Sequence, residues 1–297
     1  MKVIKPVAVT DAVLISSTAP ETDYSAWAAG TAYSVGNRVI RTSTHRIYER
    51  LIAGTTATAP ELDAVNWIDI APTNRWAMFD NEVSTQTALA SPLTVVIKPG
   101  FVNGIALFGL VGDSLTVTVR DGLAGSVVYS RTLALDGTIL ADWYQYFFEP
   151  YVQRADVVLT DLPPYGDAHI TLTLTGSGTV KCGIVALGTV YTLGDTQQGA
   201  SVSIVDYSRK ETDAFGVTSF VQRAYSKRMS VNLLLANAQL NKTQRVLADL
   251  RASPAAWVGT DAPGYEPLTV YGFYKDFSID IAYPQLSYCS LEIEGLT

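Results

Sequence analysis

The sequence contains few charged residues, which make up 16% of its 297 residues, whereas about 25% is typical of soluble proteins. Hydrophobic residues reach 48%, which argues against intrinsic disorder because such a chain can bury enough apolar surface to fold. The formal net charge is −7, and no segment is strongly basic. A protein that binds nucleic acid needs a basic patch for the phosphates, so we expect no nucleic-acid partner.

Cysteine and histidine are also scarce, with two residues of each. Cys182 and Cys289 lie far apart and match neither a disulfide framework nor a zinc-binding spacing, so we expect two buried thiols. A Ser-His-Asp triad would have to use His45 or His169, and neither histidine accompanies a G-x-S-x-G motif. The sequence therefore predicts a protein that is not an enzyme and that holds no metal and no cofactor.

Long hydrophobic runs are absent as well. The longest apolar stretches, such as Gly104–Val111, have the length of a strand, whereas a membrane-spanning helix needs about 18 apolar residues or more. The first ten residues show no signal-peptide pattern, because Pro6 interrupts any apolar core. We expect synthesis in the cytoplasm and no insertion into a membrane.

The sequence does contain many segments in which apolar and polar residues alternate. Such alternation occurs at 114–119, 170–175 and 277–281, and it is typical of half-buried antiparallel strands. Turn-forming pairs with glycine or proline separate the segments. The predicted fold class is therefore mainly β.

One segment favours a helix. Asn241 is its expected N-cap, and Val246, Leu247 and Leu250 then fall on one face. Pro254 follows shortly after and stops the helix. We therefore expect about one helix in the whole chain.

The chain divides into four predicted parts. Residues 1–21 form an N-terminal arm, and residues 22–73 form a small aromatic β module, called the module below. Residues 74–194 form a block with the strand rhythm of a β-sandwich or jelly roll. Residues 195–297 form a C-terminal β block that includes the helix and serves assembly.

The module carries eight apolar or glycine positions in a fixed order. These are Trp27, Gly30, Tyr33, Val35, Gly36, Val39, Tyr48 and Trp67. A unit of this size builds little core, so a few large rings must stabilise it. The spacing resembles the small chitin-binding-type carbohydrate-binding module that is appended to chitinases and cellulases, over residues 24–70. The resemblance implies that some rings hold the fold and that others stack on sugars.

Two roles are open for the four large rings of the module. Trp27, Tyr33, Tyr48 and Trp67 can all be core residues, or one or two of them can form a sugar-binding platform. The loop 51–65, where the resembling modules expose rings, contains no aromatic residue here. A platform would therefore require an exposed Trp27 or Tyr33. His45, between these rings in the sequence, is expected at the surface.

The sandwich block contains five rings within six residues. We expect a strand here, whose alternation would place Trp143 and Phe147 on one face. Tyr144, Tyr146 and Phe148 would then lie on the other face. A strand with rings on both faces is either buried on both or covers a partner, so the segment is a candidate for the core or for an interface.

The C-terminal block contains the most distinctive sequence segments of the chain. Its segments are D-Y-S-R-K-E-T-D at 206–213, R-A-Y-S-K-R at 223–228, L-R-A-S-P-A-A-W at 250–257, V-Y-G-F-Y-K-D-F at 270–277 and C-S-L-E-I-E-G-L at 289–296. Together with the module, these segments resemble a family of tail-associated virion proteins of tailed bacteriophages, and the resemblance covers nearly the whole chain. The resemblance implies a structural or adhesion role in the tail, the tail tip or the fibre-attachment region of the virion.

Three functional hypotheses follow. The first is a non-enzymatic tail subunit that forms a ring or fibre with itself and with other tail subunits, using the aromatic segment and the basic residues Arg223, Lys227 and Arg228 as contacts. The second is an adhesin that binds a host-surface glycan through the module. The third is a glycosidase with Asp161 and Asp167, which flank the loop 162–166, as its paired carboxylates; the alternative role for these two residues is turn capping.

Overall fold

The protein is mainly β, as the sequence predicts: 49% of it is strand and 10% is helical. A computed structural model describes residues 1–82, 84–138, 142–148, 150, 152–212, 215–262 and 264–296, and statements about absent features concern these residues. Antiparallel sheets, several of them curled, give a β-sandwich-like architecture.

The described residues form 24 strands and two α-helices. The strands are β1 Lys2–Pro6, β2 Leu14–Ser17, β3 Ala32–Tyr33, β4 Arg38–Arg41, β5 Arg46–Arg50, β6 Gly54–Thr55, β7 Trp67–Pro72, β8 Thr87–Ala90, β9 Leu93–Ile97, β10 Gly104–Phe108, β11 Ser114–Asp121, β12 Val127–Ala134, β13 Val157–Leu159, β14 Ala168–Thr175, β15 Thr179–Cys182, β16 Ile184–Thr192, β17 Asp195–Thr196, β18 Ser201–Asp206, β19 Arg209–Thr212, β20 Thr218–Val221, β21 Tyr225–Ala236, β22 Ala255–Val258, β23 Thr269–Asp280 and β24 Leu286–Gly295. The helices are α1 Trp143–Phe148 and α2 Leu240–Asp249, and short 3₁₀ turns occur at Pro60–Leu62, Ala77–Phe79, Asn237–Gln239 and Glu266–Leu268.

A long sheet runs through most of the chain. Its order is β13-β10-β16-β1-β22-β23-β24-β21-β17, and β18 also pairs with β21. The first strand, β1, lies in the middle of this sheet, between β16 and β22. The N-terminal arm thus pairs within its own chain, and the long sheet continues across the predicted boundary at 195.

A five-stranded sheet, in the order β12-β11-β14-β9-β2, packs against one end of the long sheet. The core between them contains Val117 of β11, Ile170 of β14, Ile105 of β10 and Leu187 of β16. The predicted strands at 114–119 and 170–175 are confirmed, with alternate residues buried along β11 and β14. The sandwich thus forms because β11 and β14 bury one face each against the long sheet, while β10 is buried on both faces.

The other end of the long sheet is covered by α2. Val246, Leu247 and Leu250 pack into a core with β21, β22 and β24, which confirms the predicted helical face. The predicted N-cap Asn241 is wrong, because the helix begins at Leu240 after a 3₁₀ turn. Asn237 anchors that turn by accepting a hydrogen bond from the Ser287 hydroxyl at 2.5 Å, so a tertiary contact sets the start of α2.

The module contains two small sheets, β4-β5-β7 and β3-β6. We call the remainder of the described chain, which comprises residues 1–21 and everything from 74 onward, the sheet body. The module's own core is formed by Val39, Tyr48 and Trp67, against which Trp27 and Tyr33 pack.

The predicted aromatic strand is wrong, because the five rings lie on the helix α1. The Asp142 side chain accepts a hydrogen bond from the backbone N–H of Gln145 at 2.8 Å, and the Asp142 carbonyl accepts one from Tyr146 at 3.2 Å. Aspartate in this position stabilises the first turn of a helix. Aromatic residues favour strands, but the run of rings shows no alternation with polar residues that would specify one.

Candidate functional site

The four candidate sugar-binding rings form one cluster in the module. Tyr48 and Trp67 are buried, whereas Trp27 and Tyr33 are half-buried. Tyr33 meets Trp67 edge to face, with ring centroids 5.1 Å apart. The Tyr33 hydroxyl accepts a hydrogen bond from the backbone N–H of Ala28 at 2.9 Å. The structure therefore brings all four rings together, and only Trp27 and Tyr33 retain surface that a ligand can reach.

Arginine side chains cover the two tryptophans of this cluster. The Arg41 guanidinium lies 5.0 Å from the Trp27 ring centroid, and the Arg50 guanidinium lies 5.0 Å from the Trp67 centroid. Arg41 also donates two hydrogen bonds to Glu61, at 3.0 and 2.7 Å, and these bonds lower the pKa of the Glu61 carboxyl. One face of each indole is thus occupied by a cation of the same chain.

The indole N–H groups of Trp27 and Trp67 are buried and have no hydrogen-bond partner within the described part of the chain. The same holds for Nη1 of Arg50, whose Nε donates to the Ile52 carbonyl at 2.5 Å. Unsatisfied buried donors cost stability. The aromatic core of the module therefore packs closely but leaves these three buried donors without hydrogen bonds to the described residues.

His45 is not the surface residue expected from the sequence. Its Nδ1 lies 2.9 Å from Glu21 Oε1 and its Nε2 lies 3.1 Å from Asp11 Oδ1. The ring stacks on Trp76 with centroids 4.0 Å apart, and the Thr73 hydroxyl donates to the same Glu21 oxygen at 3.0 Å. This cluster connects the module to the sheet body, and no spacing in the sequence indicates it because its members belong to three different predicted parts.

The aromatic helix α1 is a strongly exposed apolar feature of the sheet body. Its five rings are 62–76% exposed. They contact one another, as in Tyr144 and Phe148, whose centroids lie 4.8 Å apart. We call these rings, Trp143, Tyr144, Tyr146, Phe147 and Phe148, the α1 ring cluster. Of the two roles open for this segment, burial in the core of its own chain is not observed.

The three basic candidates do not form a shared patch of free charge. Lys227 lies 2.6 Å from Asp156, and Arg228 lies 2.6 Å from Glu292. Arg223 is exposed at the foot of the β19–β20 hairpin, and its backbone N–H donates to Ser208 Oγ at 3.0 Å. Two of the three charges are therefore already compensated within the chain.

The candidate catalytic carboxylates are also engaged with cations. Asp167 lies 2.6 Å from Lys98 Nζ, and this contact lowers the pKa of its carboxyl. Asp161 lies 3.6 Å from Arg131 and accepts a hydrogen bond from the Tyr129 hydroxyl at 3.1 Å. A glycosidase needs one carboxylic acid with a raised pKa, whereas the pKa of Asp167 is shifted in the opposite direction.

Other reactive groups are shielded. Burial raises the pKa of the Cys182 thiol to about 12 and that of Cys289 to about 11, and both are free and buried as expected.

A cleft of about 920 Å³ lies beside Met1 and Leu268, where Lys2 forms an ion pair with Asp261. No group of three potential metal ligands occurs in the described ranges.

None of the described helices is both long and apolar enough to cross a membrane. Comparison with protein-family models and with curated proteins found no match for this sequence.

Proposed function

We propose that this chain is a non-enzymatic structural subunit of a bacteriophage tail, in the tail, the tail tip or the fibre-attachment region. In this role it assembles with itself and with other tail subunits, and it resides in the virion after synthesis in the host cytoplasm. The resemblance of the C-terminal block and the module to tail-associated proteins supports the proposal. The structural observation that carries it is the α1 ring cluster.

The size of the α1 ring cluster suits a permanent contact. A large ring buries about 150–250 Å² when it is covered, so five rings exposed to this degree offer roughly 500–900 Å² of apolar surface. One side of a standard protein interface buries about 800 Å². Exposed apolar surface of this size marks a contact site in soluble proteins, and aromatic residues are enriched at the energetic centres of interfaces.

Removal of the rings tests the assembly step. We expect the full-length protein to sediment as an oligomer, and the triple variant Trp143→Ser, Tyr144→Ser, Tyr146→Ser to form smaller species. Phe101→Ser is the matched control, because Phe101 is an exposed ring of the sheet body outside α1, and it should leave the oligomer unchanged. An unchanged mass for the triple variant would contradict an assembly role of α1.

The location of the chain tests the tail assignment itself. Cryo-electron microscopy of particles of the encoding virus, with mass spectrometry of the purified virions, should find the chain in the tail. A chain that is produced during infection and missing from the particles would overturn the proposal.

A glycan-binding adhesin is the second candidate. It is favoured by the partial exposure of Trp27 and Tyr33 in a module that resembles carbohydrate-binding modules. Glycan-array binding that is lost in Trp27→Ala, with an unchanged unfolding midpoint, would support it. Absence of binding to chitin oligomers and host-surface glycans would leave the module as a structural part of the tail subunit.

A further inference from the structure

The two edges of the long sheet differ in how they are protected. At one edge, β13 has only three residues, and Pro163 and Pro164 follow it closely. At the other edge, β18 has six residues, Ser201 to Asp206, with no proline, no lysine and a single charge at its end. Natural proteins protect edge strands by shortness, proline or charge because an open edge pairs with other chains. β18 lacks all three protections over its first five residues.

The outer side of β18 is unpaired. The strand pairs with β21, from Ser201 opposite Ser230 to Asp206 opposite Tyr225. Its backbone makes no other backbone hydrogen bond to the described residues. β17 occupies the same side of β21 further along and stops at Thr196. A row of N–H and C=O groups is therefore open to another strand.

Exposed apolar side chains accompany this open backbone. Ile204 is 63% exposed, and Val202 on the same face is also exposed. They continue the face on which Met229 is buried in the core under α2, since Val202 lies opposite Met229. The core face of the long sheet thus extends to its edge, where Val202 and Ile204 retain exposed surface. A neighbouring strand at this edge would bury both side chains.

From the asymmetry of the two edges we infer that β18 pairs antiparallel with β18 of a second copy of this chain, about a two-fold axis perpendicular to the sheet. The short, proline-flanked β13 edge is a poor partner for β18, which disfavours head-to-tail pairing. Pairing of one edge with itself is isologous and closes as a dimer. The inference deepens the proposed assembly function and rests on it for the requirement of self-association.

The side chains are compatible with a register centred on Ser203. Because the faces of a continuous sheet must match, paired residues have to lie on the same face. With Ser203 opposite the partner's Ser203, Val202 lies opposite the partner's Ile204, and Asp206 lies opposite the partner's Ala200. Apolar pairs then meet, and no like charges face each other. A register centred on Asp206 would place two carboxylates in direct opposition, which is destabilising.

A cysteine at the centre of this register tests both the contact and its geometry. Directly opposed residues of antiparallel strands have Cα atoms about 4.5–5.5 Å apart, within the range of a disulfide. Ser203→Cys should therefore cross-link two copies under mild oxidation. Ser177→Cys, at an exposed turn, is the control, and we expect it to cross-link roughly 100-fold more slowly because its thiols meet only by diffusion at micromolar rather than near-millimolar concentration. The native thiols are buried and do not compete.

A charge on the edge provides the second measurement. In the background of the triple α1 variant, sedimentation should give the mass of two 32.0 kDa chains. Ile204→Lys should reduce this to one chain, because lysine on an edge strand opposes pairing. Ile281→Lys is the matched control at an isoleucine that is 74% exposed and lies outside the edge, and it should leave the dimer intact.

The outcomes separate this inference from the tail assignment. Equal cross-linking of Ser203→Cys and Ser177→Cys, or an unchanged dimer in Ile204→Lys, would overturn the edge pairing and leave the tail proposal standing. Rapid cross-linking of Ser203→Cys in a chain that is missing from virus particles would support the pairing and overturn the tail proposal.

Discussion

The module and the sheet body build their cores from different kinds of side chain. The sheet body buries aliphatic residues from long strands of two packed sheets, such as Ile105 and Ile170. The module has few and short strands, and its core consists of Val39 with rings such as Tyr48 and Trp67. A small unit buries too little aliphatic surface, so each large ring carries a greater share of its stability.

Buried donors without a partner occur in both regions, since the indole N–H of Trp76 and Nε of Arg228 in the sheet body also lack one among the described residues, but the two most deeply buried tryptophans differ. In the sheet body, Trp257 is completely buried and its indole N–H donates to the Gly272 carbonyl at 2.9 Å. In the module, the buried indole N–H groups of Trp27 and Trp67 have no such partner among the described residues. Because the core of the module is much smaller than that of the sheet body, we infer that the module is the less stable of the two regions. Four predictions, in order of decreasing effect, test this comparison.

The largest effect is expected for Trp257→Ala in the sheet body. The substitution leaves a large cavity and removes the hydrogen bond to Gly272, so the free energy of unfolding should fall by ~5 kcal/mol, the upper end of the range for such truncations. Chemical denaturation followed by circular dichroism measures the change. A loss below about 2 kcal/mol would mean that the site relaxes around the cavity.

Trp67→Ala should act on the module alone. We expect a loss of ~3–4 kcal/mol, smaller than for Trp257→Ala because the Trp67 indole N–H has no hydrogen bond to lose. Hydrogen exchange should show the loss of protection in β4, β5 and β7, while the strands of the sheet body remain protected. Simultaneous loss of protection in both regions would show that the module and the sheet body unfold as one unit.

Arg41→Met should have a moderate effect on the module. Methionine preserves an apolar stem over Trp27 but loses the cation–π contact and the ion pair with Glu61. We expect a loss of ~1 kcal/mol in the free energy of module unfolding. Arg38→Met is the matched control, because Arg38 likewise pairs with a glutamate, Glu49, and lies over a ring, Tyr24, but at a more exposed position, and its effect should be smaller. Equal effects of the two substitutions would argue against a special role of Arg41.

Acid should have small and opposite effects on the two regions. Arg41 lowers the pKa of Glu61 below 4.5, so its stabilising contribution is present above pH 4.5 and is lost as the pH falls through the lowered pKa. Burial raises the pKa of Asp80 in the sheet body above 3.8, so stability is lost as the pH rises from 3.8 through the raised value.

Glu61→Gln and Asp80→Asn isolate these two contributions. Unfolding curves between pH 3 and 6 should show that Glu61→Gln removes an acid-induced loss in the module. Asp80→Asn should remove a gain on acidification in the sheet body. The same direction of change in both variants would contradict the assigned causes of the pKa shifts.

Predictions from the sequence were correct where they depended on neighbouring residues and wrong where they depended on residues far apart in the chain. Alternation along β11 and β14 indicated their buried faces correctly, because every second side chain of a strand in a sandwich points into the core. The apolar face of α2 was equally readable. The aromatic segment was misread because aromatic residues favour strands, whereas here Asp142 caps the first turn of a helix. The expected position of His45 was wrong because its partners, Glu21 and Asp11, are brought to it only by the fold.

At the candidate sites, too, the sequence predicted which residues take part, and only the fold showed their exposure and contacts. The order of Trp27, Tyr33, Tyr48 and Trp67 in the sequence predicted a ring cluster, but only the packing shows which rings are half-exposed and that Arg41 and Arg50 cover the two indoles. Ring count alone identified the aromatic segment as a candidate contact. Its exposure depended on the helix.

Local patterning was sufficient for the mainly β class, for the single long helix and for the scarcity of catalytic residue types, because composition and periodicity act over a few neighbouring residues. The position of β1 in the middle of the long sheet, the protection of one sheet edge and the open backbone of β18 required the tertiary structure. Strand order and edge exposure arise from contacts between residues up to about 250 positions apart, such as β1 with β22, and no short-range pattern encodes them.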